Sequence, residues 1–150
     1  PVLRLSALLP HDPEAVQQAA TRLRLANAQR DRLIAAASNR VAVDADAHSI
    51  RAMLYRDGRQ ATRDRIALAG TEHPEADLTA LDQLAETWPI PRLPVGGREV
   101  ARAGVEPGPE TGRVLSVFEA GWIADDFPQT GHAERLAAAV AAVTQPKRTG

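Results

Sequence analysis

Apolar side chains recur every three or four positions along most of this chain, the spacing that gives an α-helix one buried face. Asp12-Pro13 has the sequence of an N-cap and a first helical position, so a first helix is predicted to start there. Its buried stripe consists of Val16, Ala19, Ala20 and Leu23. Asn27 is expected to cap a second helix that runs to about Ala37 and ends at Asn39. The inward side chains of that helix are Leu33, Ile34 and Ala37.

Three further helices are predicted in the middle of the chain. Asp46 is expected to cap the first of them, which Gly58 ends, and its buried stripe is Ile50, Met53 and Leu54. The next helix runs from about Arg59 to Ala69 and stops at Gly70. The last starts at Pro74, and the side chains on its shared face are Leu78, Leu81, Ala85 and Trp88.

The segment Trp88–Gly97 breaks this pattern, because its first seven residues include three prolines, which force extended backbone. It is too apolar for a flexible linker, so we expect an ordered strap lying across the helices. A short helix at Arg98–Ala103 should follow, and then a turn and a long helix from Glu110 to about Asp125. A last helix is predicted at His132–Val143. The inward residues of the last two helices are Val114, Leu115, Phe118 and Trp122, then Leu136, Ala139, Val140 and Val143.

No alternating strand pattern of useful length occurs, so the predicted fold is all-α. We expect an irregular bundle of about seven helices with one extended proline-rich strap. The length of 150 residues suits one domain, predicted to cover residues 1–143, with a disordered tail at 144–150. The opening residue is Pro1 rather than methionine, which favours a segment of a longer protein.

The composition excludes several kinds of chemistry. The chain contains no cysteine, so disulfides, thiolate metal sites and cysteine nucleophiles are impossible. Nothing in the cysteine usage places the protein outside the cytoplasm, which is therefore the expected compartment. No stretch approaches the ~20 apolar residues that a membrane span requires.

The basic residues are unevenly distributed. Residues 22–65 carry ten arginines and five acids, a balance of +5, and the remainder carries eight basic and fourteen acidic residues, a balance of −6. Seventeen of the eighteen basic residues are arginine, whose planar fork suits phosphate. The basic half, residues 22–65, is therefore a candidate surface for nucleic acid, although a bias in genomic base composition would also enrich arginine.

Within the basic half, Arg56, Arg59 and Arg63 are spaced three and four residues apart. A continuous helix would place them on one face as a ridge suited to successive phosphates. The alternative is a solvated helix face that Asp57 and Asp64 partly neutralise. A helix break at Gly58 would also spoil the alignment.

Asp44-Ala45-Asp46 is the most tempting catalytic motif. Carboxylates two residues apart bind the magnesium ions of nucleotidyl transfer when they lie on a strand. Here the pair falls between two predicted helices, so the favoured interpretation is that Asp46 caps a helix. The four histidines are isolated in the sequence, and no metal-ligand spacing connects them.

The segment from Pro94 to Ala120 predicts a short helix, a tight turn at Pro107-Gly108-Pro109 and a long helix. Gly108 would let the backbone approach a neighbour closely, and the unpaired N–H groups of the long helix could hold a phosphate. The arginines that could assist are Arg98, Arg102 and Arg113. The alternative, which the mechanism alone favours, is that these glycines only permit close helix packing.

Three sequence blocks together resemble the C-terminal region of bacterial tRNA nucleotidyltransferases, the family of CCA-adding enzymes and poly(A) polymerases. The block from Val95 to Leu115 is similar to the signature of that region, VGGREV followed by GVxPGPxxGRVL. Leu23–Leu33 and Leu54–Ile66 are similar to two further blocks of the alphaproteobacterial branch. All three occur in family order, and the resemblance spans roughly residues 3–136.

The resemblance implies an all-helical, non-catalytic domain that binds the acceptor–TΨC half of tRNA and supports a catalytic head on the same polypeptide. In the family that head uses magnesium with CTP or ATP. No catalytic residue of the family transfers to this chain, so we expect no catalytic activity, metal or cofactor here. Two alternatives stay open. The chain could be an independent helical module for protein–protein contact, or a DNA-binding domain that resembles a helix–hairpin–helix.

Overall fold

The computed structural model describes residues 12–38 and 41–144, together with Leu5 and Leu8. Within these residues all regular elements are α-helices, seven in number, which confirms the predicted all-α class. They are α1 (Pro13–Arg22), α2 (Asn27–Ser38), α3 (Ala47–Glu72), α4 (Thr79–Thr87), α5 (Gly97–Arg102), α6 (Pro109–Ala124) and α7 (His132–Thr144). No helix among the described residues is long and apolar enough to cross a membrane.

The chain forms two compact units, Pro1–Ile90 and Pro91–Gly150. The interval predicted as one helical domain, residues 1–143, therefore spans both units. The predicted tail begins in the last residue of α7, and its remainder, residues 145–150, lies outside the described residues, as does the predicted helix end at Asn39.

In the first unit, α1 and α2 pack through a small apolar cluster. Val16, Ala20 and Leu33 are buried at its centre, as their helical spacing predicts. Leu23 was predicted to belong to the same stripe, but it is 54% exposed. The reason is that α1 ends at Arg22, so Leu23 lies beyond the last helical residue and no longer follows the face of the helix.

A second cluster joins α3 to α4. Its buried members are Val41, Ile50, Leu54, Ile66, Ala69, Leu78 and Ala85, and Trp88 and Ile90 pack against it. The apolar stripes predicted for the middle of the chain are therefore largely confirmed. The predicted proline-rich strap, Trp88–Gly97, is divided between the two units: Ile90 packs against this cluster in the first unit, and Val95 is buried in the second.

The helix boundaries depend on side-chain caps. The Asp12 carboxylate accepts from the Glu14 N–H at 3.0 Å, and the Asp46 carboxylate accepts from the Ser49 N–H at 2.8 Å, which confirms both predicted N-caps. Asn27 was predicted as a cap but is already the first residue of α2. The carbonyl of the preceding residue, Ala26, accepts the first helical bonds instead.

Of two predicted boundaries in the middle of the chain, one is confirmed and one is wrong. Both helical segments predicted on either side of Gly58 are present, and they form α3, in which Gly58 is a non-helical break with φ of 82° and ψ of 167°. The helix predicted to start at Pro74 starts at Thr79, because a turn precedes it and the Asp77 carboxylate accepts the Thr79 N–H at 3.0 Å.

In the second unit, α5, α6 and α7 enclose an aromatic core. Val114, Phe118 and Trp122 are fully buried along one face of α6, as predicted. Trp122 and Phe127 meet edge to face, with ring centroids 5.0 Å apart and an interplanar angle of 83°. The Trp122 indole N–H donates to the Pro128 carbonyl at 2.9 Å. Phe127, whose burial the helical pattern did not predict, therefore completes this core from the loop after α6.

Candidate nucleic-acid interface

The predicted arginine ridge is interrupted at Gly58, which lies between Arg56 and Arg59. The backbone of Gly58 has a positive φ of 82°, a conformation outside the helical region. The three arginines of the ridge therefore do not lie on one continuous helix face. The helix break at Gly58, which the sequence suggested could disrupt the ridge, is therefore present.

Arg59 is held inside the first unit at the end of α4. Its guanidinium donates to the carbonyl oxygens of Ala85 and Glu86, and to that of Trp88 at 2.9 Å. The last carbonyls of a helix have no partner within the helix, and here Arg59 supplies one. Its role in the structure is to cap α4 and to join α4 to α3.

Arg63 is also paired within the first unit. It donates to both carboxylate oxygens of Asp82, at 2.9 and 3.0 Å, and one guanidinium nitrogen lies 3.8 Å from the Glu86 carboxylate. These hydrogen bonds hold the pKa of Asp82 below its usual value and raise the pKa of Arg63. Of the ridge residues, Arg56 is exposed and makes no ion pair with the described residues.

A buried network on the same helix, α3, was not predicted from the sequence. The Asp64 carboxylate is almost fully buried and accepts two hydrogen bonds from Arg32 and one from the Gln60 amide. Arg65 is equally buried; it donates to the Asp57 carboxylate at 2.5 Å and to the Ala35 carbonyl. The adjacent Asp64 and Arg65 were the available signal, but two of their partners, Arg32 and the Ala35 carbonyl, lie about 30 residues away in the sequence.

An open cleft of about 560 Å³ lies in the first unit. Its lining residues include Arg32, Gln60, Arg63, Asp64, Ile66, Ala67, Gly70, Leu78, Thr79 and Asp82. The charged groups of this lining form two pairs, Arg32 with Asp64 and Arg63 with Asp82. Both arginines of this lining are therefore already paired with carboxylates of the same cleft.

In the second unit, three exposed arginines lie on α5 and α6, the helices on either side of the Pro107-Gly108-Pro109 turn. Arg98, Arg102 and Arg113 are all exposed. Two of them contact a glutamate one helical turn away, Arg102 with Glu99 at 3.4 Å and Arg113 with Glu110 at 3.3 Å. Such exposed pairs contribute little, so these guanidinium groups can exchange a carboxylate for a phosphate at small cost.

The close approach of a neighbour to the backbone, one of the roles that the sequence suggested for Gly108, is not found among the described residues. A Cβ atom added there would meet nothing within 4 Å, so no described neighbour approaches its backbone closely. Its φ of 165° is ordinary extended backbone, which other residues also adopt. The glycine of this turn that needs its conformational freedom is Gly104, with φ of 89°.

The Asp44-Ala45-Asp46 motif lies between helices, on no strand. Asp46 caps α3, and the hydrogen bonds from Ser49 lower the pKa of its carboxyl group. Asp44 is exposed nearby. No cluster of three or more possible metal ligands is present among the described residues.

Comparison of this chain with known protein families, with curated proteins and with solved structures finds no match in any of the three.

The Arg63–Asp82 pair leads to a prediction about acid stability. Because the folded state lowers the pKa of Asp82, the pair stabilises the fold at neutral pH, and this contribution disappears as pH falls below about 4. Asp82→Asn should therefore be less stable than the unaltered chain at pH 7, by under about 1 kcal/mol because the pair is partly exposed. Urea titrations between pH 7 and pH 2 should show this difference shrinking towards zero. A difference that stays constant with pH would contradict the role given to the pair.

Proposed function

We propose that this chain is a non-catalytic, RNA-binding helical domain that positions tRNA for a catalytic head, as its resemblance to the C-terminal region of tRNA nucleotidyltransferases implies. The three similar sequence blocks occur in family order, and the expected all-helical fold agrees with that role. The resemblance also implies that the partner is the acceptor–TΨC half of tRNA and that the compartment is the cytoplasm. Magnesium and nucleotide would bind to the head.

The observation that best supports RNA binding is that some arginines of the basic half, residues 22–65, are exposed and do not take part in the internal pairs of the first unit. Arg32, Arg59, Arg63 and Arg65 bind carboxylates or carbonyls of the first unit. Arg22, Arg24 and Arg56 remain exposed. In the second unit, the exposed arginines of α5 and α6 give a further set. Exposed guanidinium groups bind phosphate oxygens and give an affinity that falls with added salt.

The test is binding of labelled tRNA and of a 20-base-pair DNA duplex across a range of salt concentrations. We expect tRNA to bind more tightly than the duplex, with a Kd of about 10⁻⁴–10⁻⁶ M and a linear fall of log affinity with log salt. Arg98→Gln with Arg113→Gln should reduce the steepness of that fall by under about 2, because up to two phosphate contacts are removed.

The control for this variant removes the same charge from the C-terminal tail, by Lys147→Gln with Arg148→Gln. Equal losses in the two double variants would mean that the α5–α6 turn has no particular role. A preference for the duplex would favour the helix–hairpin–helix alternative. Absence of binding to either nucleic acid at low salt would refute the proposal in favour of a protein-interaction module.

A further inference from the structure

The turn between α1 and α2 presents an apolar side chain between two cations. Leu23 is 54% exposed, one of the few large apolar residues at the surface of the described part of the chain. Its neighbours Arg22 and Arg24 are exposed as well and form no ion pair with described residues. We refer to these three residues, Arg22-Leu23-Arg24, as the α1 tip.

The backbone of the α1 tip is held in a fixed and unfavourable conformation. Arg24 has a positive φ of 50°. The Leu25 N–H donates to the Ala20 carbonyl and the Arg24 N–H to the Thr21 carbonyl, both at 3.1 Å, which is the hydrogen-bonding pattern of a Schellman helix end. Leu25 then packs against the apolar cluster of α1 and α2. The position that Arg24 occupies usually holds glycine or asparagine, because other side chains are strained there.

Strain of this kind persists where the surrounding structure enforces it, and it is concentrated at binding and switching sites. The Arg24 side chain is exposed, so packing within the described residues does not explain why an arginine occupies this strained position. A contact between Arg24 and a binding partner would explain it. The strain and the exposed charge therefore point to the same residue.

The charge around the α1 tip identifies the chemistry of that partner. Residues 15–30 contain three arginines and neither aspartate nor glutamate. Arg22 lines an open surface pocket together with the uncharged Gln17, Gln18 and Thr21 and with one acid, Glu14. Arg22 and Arg24 together outnumber that acid, so the surface is complementary to a phosphate backbone, and an exposed leucine between the cations can pack against a ribose or an unpaired base.

We propose that the α1 tip is an RNA contact, in which Arg22 and Arg24 bind backbone phosphates on either side of a nucleotide that packs on Leu23. This inference rests on the proposed RNA-binding function and assigns it to a surface. It differs from the arginine ridge, whose members Arg59 and Arg63 are held by α4.

The test is Arg24→Gly in the full chain, because this change has opposite effects on folding and binding. Glycine adopts the positive φ without strain, so the Tm should rise by about 2–5 °C. Loss of the guanidinium should weaken tRNA binding by about 3–10 fold at low salt. Arg24→Lys, which keeps the charge, should retain most of the affinity. Arg92→Gly, a matched change at an exposed arginine of the extended segment, should leave affinity unchanged.

Unchanged tRNA affinity in Arg24→Gly, while the unaltered chain binds, would overturn this inference alone. An equal loss of affinity in Arg92→Gly would also overturn it, because only overall charge would then matter. Failure of the unaltered chain to bind tRNA would overturn the proposed function and this inference together. Stronger, Arg24-dependent binding to phosphatidylserine vesicles than to tRNA would overturn it in favour of a membrane surface.

Discussion

Arg65→Ala should lower the free energy of unfolding by about 3–5 kcal/mol, the largest loss expected from any single arginine among the described residues. The Arg65 side chain is 3% exposed and donates to Asp57 and to the Ala35 carbonyl, in the last turn of α2. Its removal leaves a carbonyl of α2 without that partner and a partly buried carboxylate without its cation. It also opens a cavity, since the aliphatic stem is lost together with the charge.

Urea denaturation followed by circular dichroism would measure this loss, with Arg56→Ala as the matched control. Arg56 is an exposed arginine of the same helix, so its replacement should change stability by no more than about 0.5 kcal/mol. Arg65→Met restores the stem but not the hydrogen bonds, and it should recover only part of the loss. Equal, small effects at positions 65 and 56 would mean that the internal network contributes nothing to stability.

The contrast between Arg56 and Arg65 also shows that the sequence pattern does not predict which arginines are exposed and which are buried. Helical periodicity places Ile50, Leu54 and Ile66 correctly in the core, because a buried stripe depends only on positions three and four residues apart. The same periodicity cannot tell an arginine that reaches solvent from one that reaches a distant carbonyl. Arg59 binds carbonyls 26–29 residues later in the chain, and Arg65 binds one 30 residues earlier.

Prediction from the sequence succeeded where a structural feature depends only on residues close together in the chain. Asp12 and Asp46 cap the helices that follow them, because a cap needs only a carboxylate and an N–H group two or three residues away. The predicted start of α4 at Pro74 failed because Asp77, three residues later, provides a competing start. Phe127 was missed because its burial accompanies left-handed backbone at positions 126 and 127, and phenylalanine, unlike aspartate, rarely adopts that conformation.

The internal network changes what the sequence resemblance implies about the candidate site. Two of the similar blocks, Leu23–Leu33 and Leu54–Ile66, are joined by the Arg32–Asp64 pair. Within the second block, Arg59, Arg63 and Arg65 all bind groups of the first unit. These four arginines therefore have a structural explanation that does not involve RNA. Arg24 and Arg56, which lie in the same blocks and are exposed, are the ones that remain available to bind a partner.

Phe118→Ala should destabilise the second unit by about 3–5 kcal/mol, the usual cost of removing a fully buried aromatic ring. Phe118 is 0% exposed in the middle of α6, and its ring lies 6.4 Å from that of His132 at the start of α7. Loss of the ring leaves a cavity between α6 and α7, whose packing depends on few large side chains because the chain contains only five aromatic residues of the Phe, Trp and Tyr types.

Tryptophan fluorescence can report this effect within the second unit. Trp122 is buried there, and the other tryptophan, Trp88, belongs to the first unit, so a Trp88→Phe background leaves Trp122 as the single probe. In that background, Phe118→Ala should move the midpoint of the Trp122 transition to lower urea concentration. Val117→Ala is the matched control, since Val117 is the adjacent residue on α6 and is 42% exposed; its effect should stay under about 1 kcal/mol. Comparable shifts in the two variants would contradict the buried position of Phe118 and the packing of α6 against α7 that follows from it.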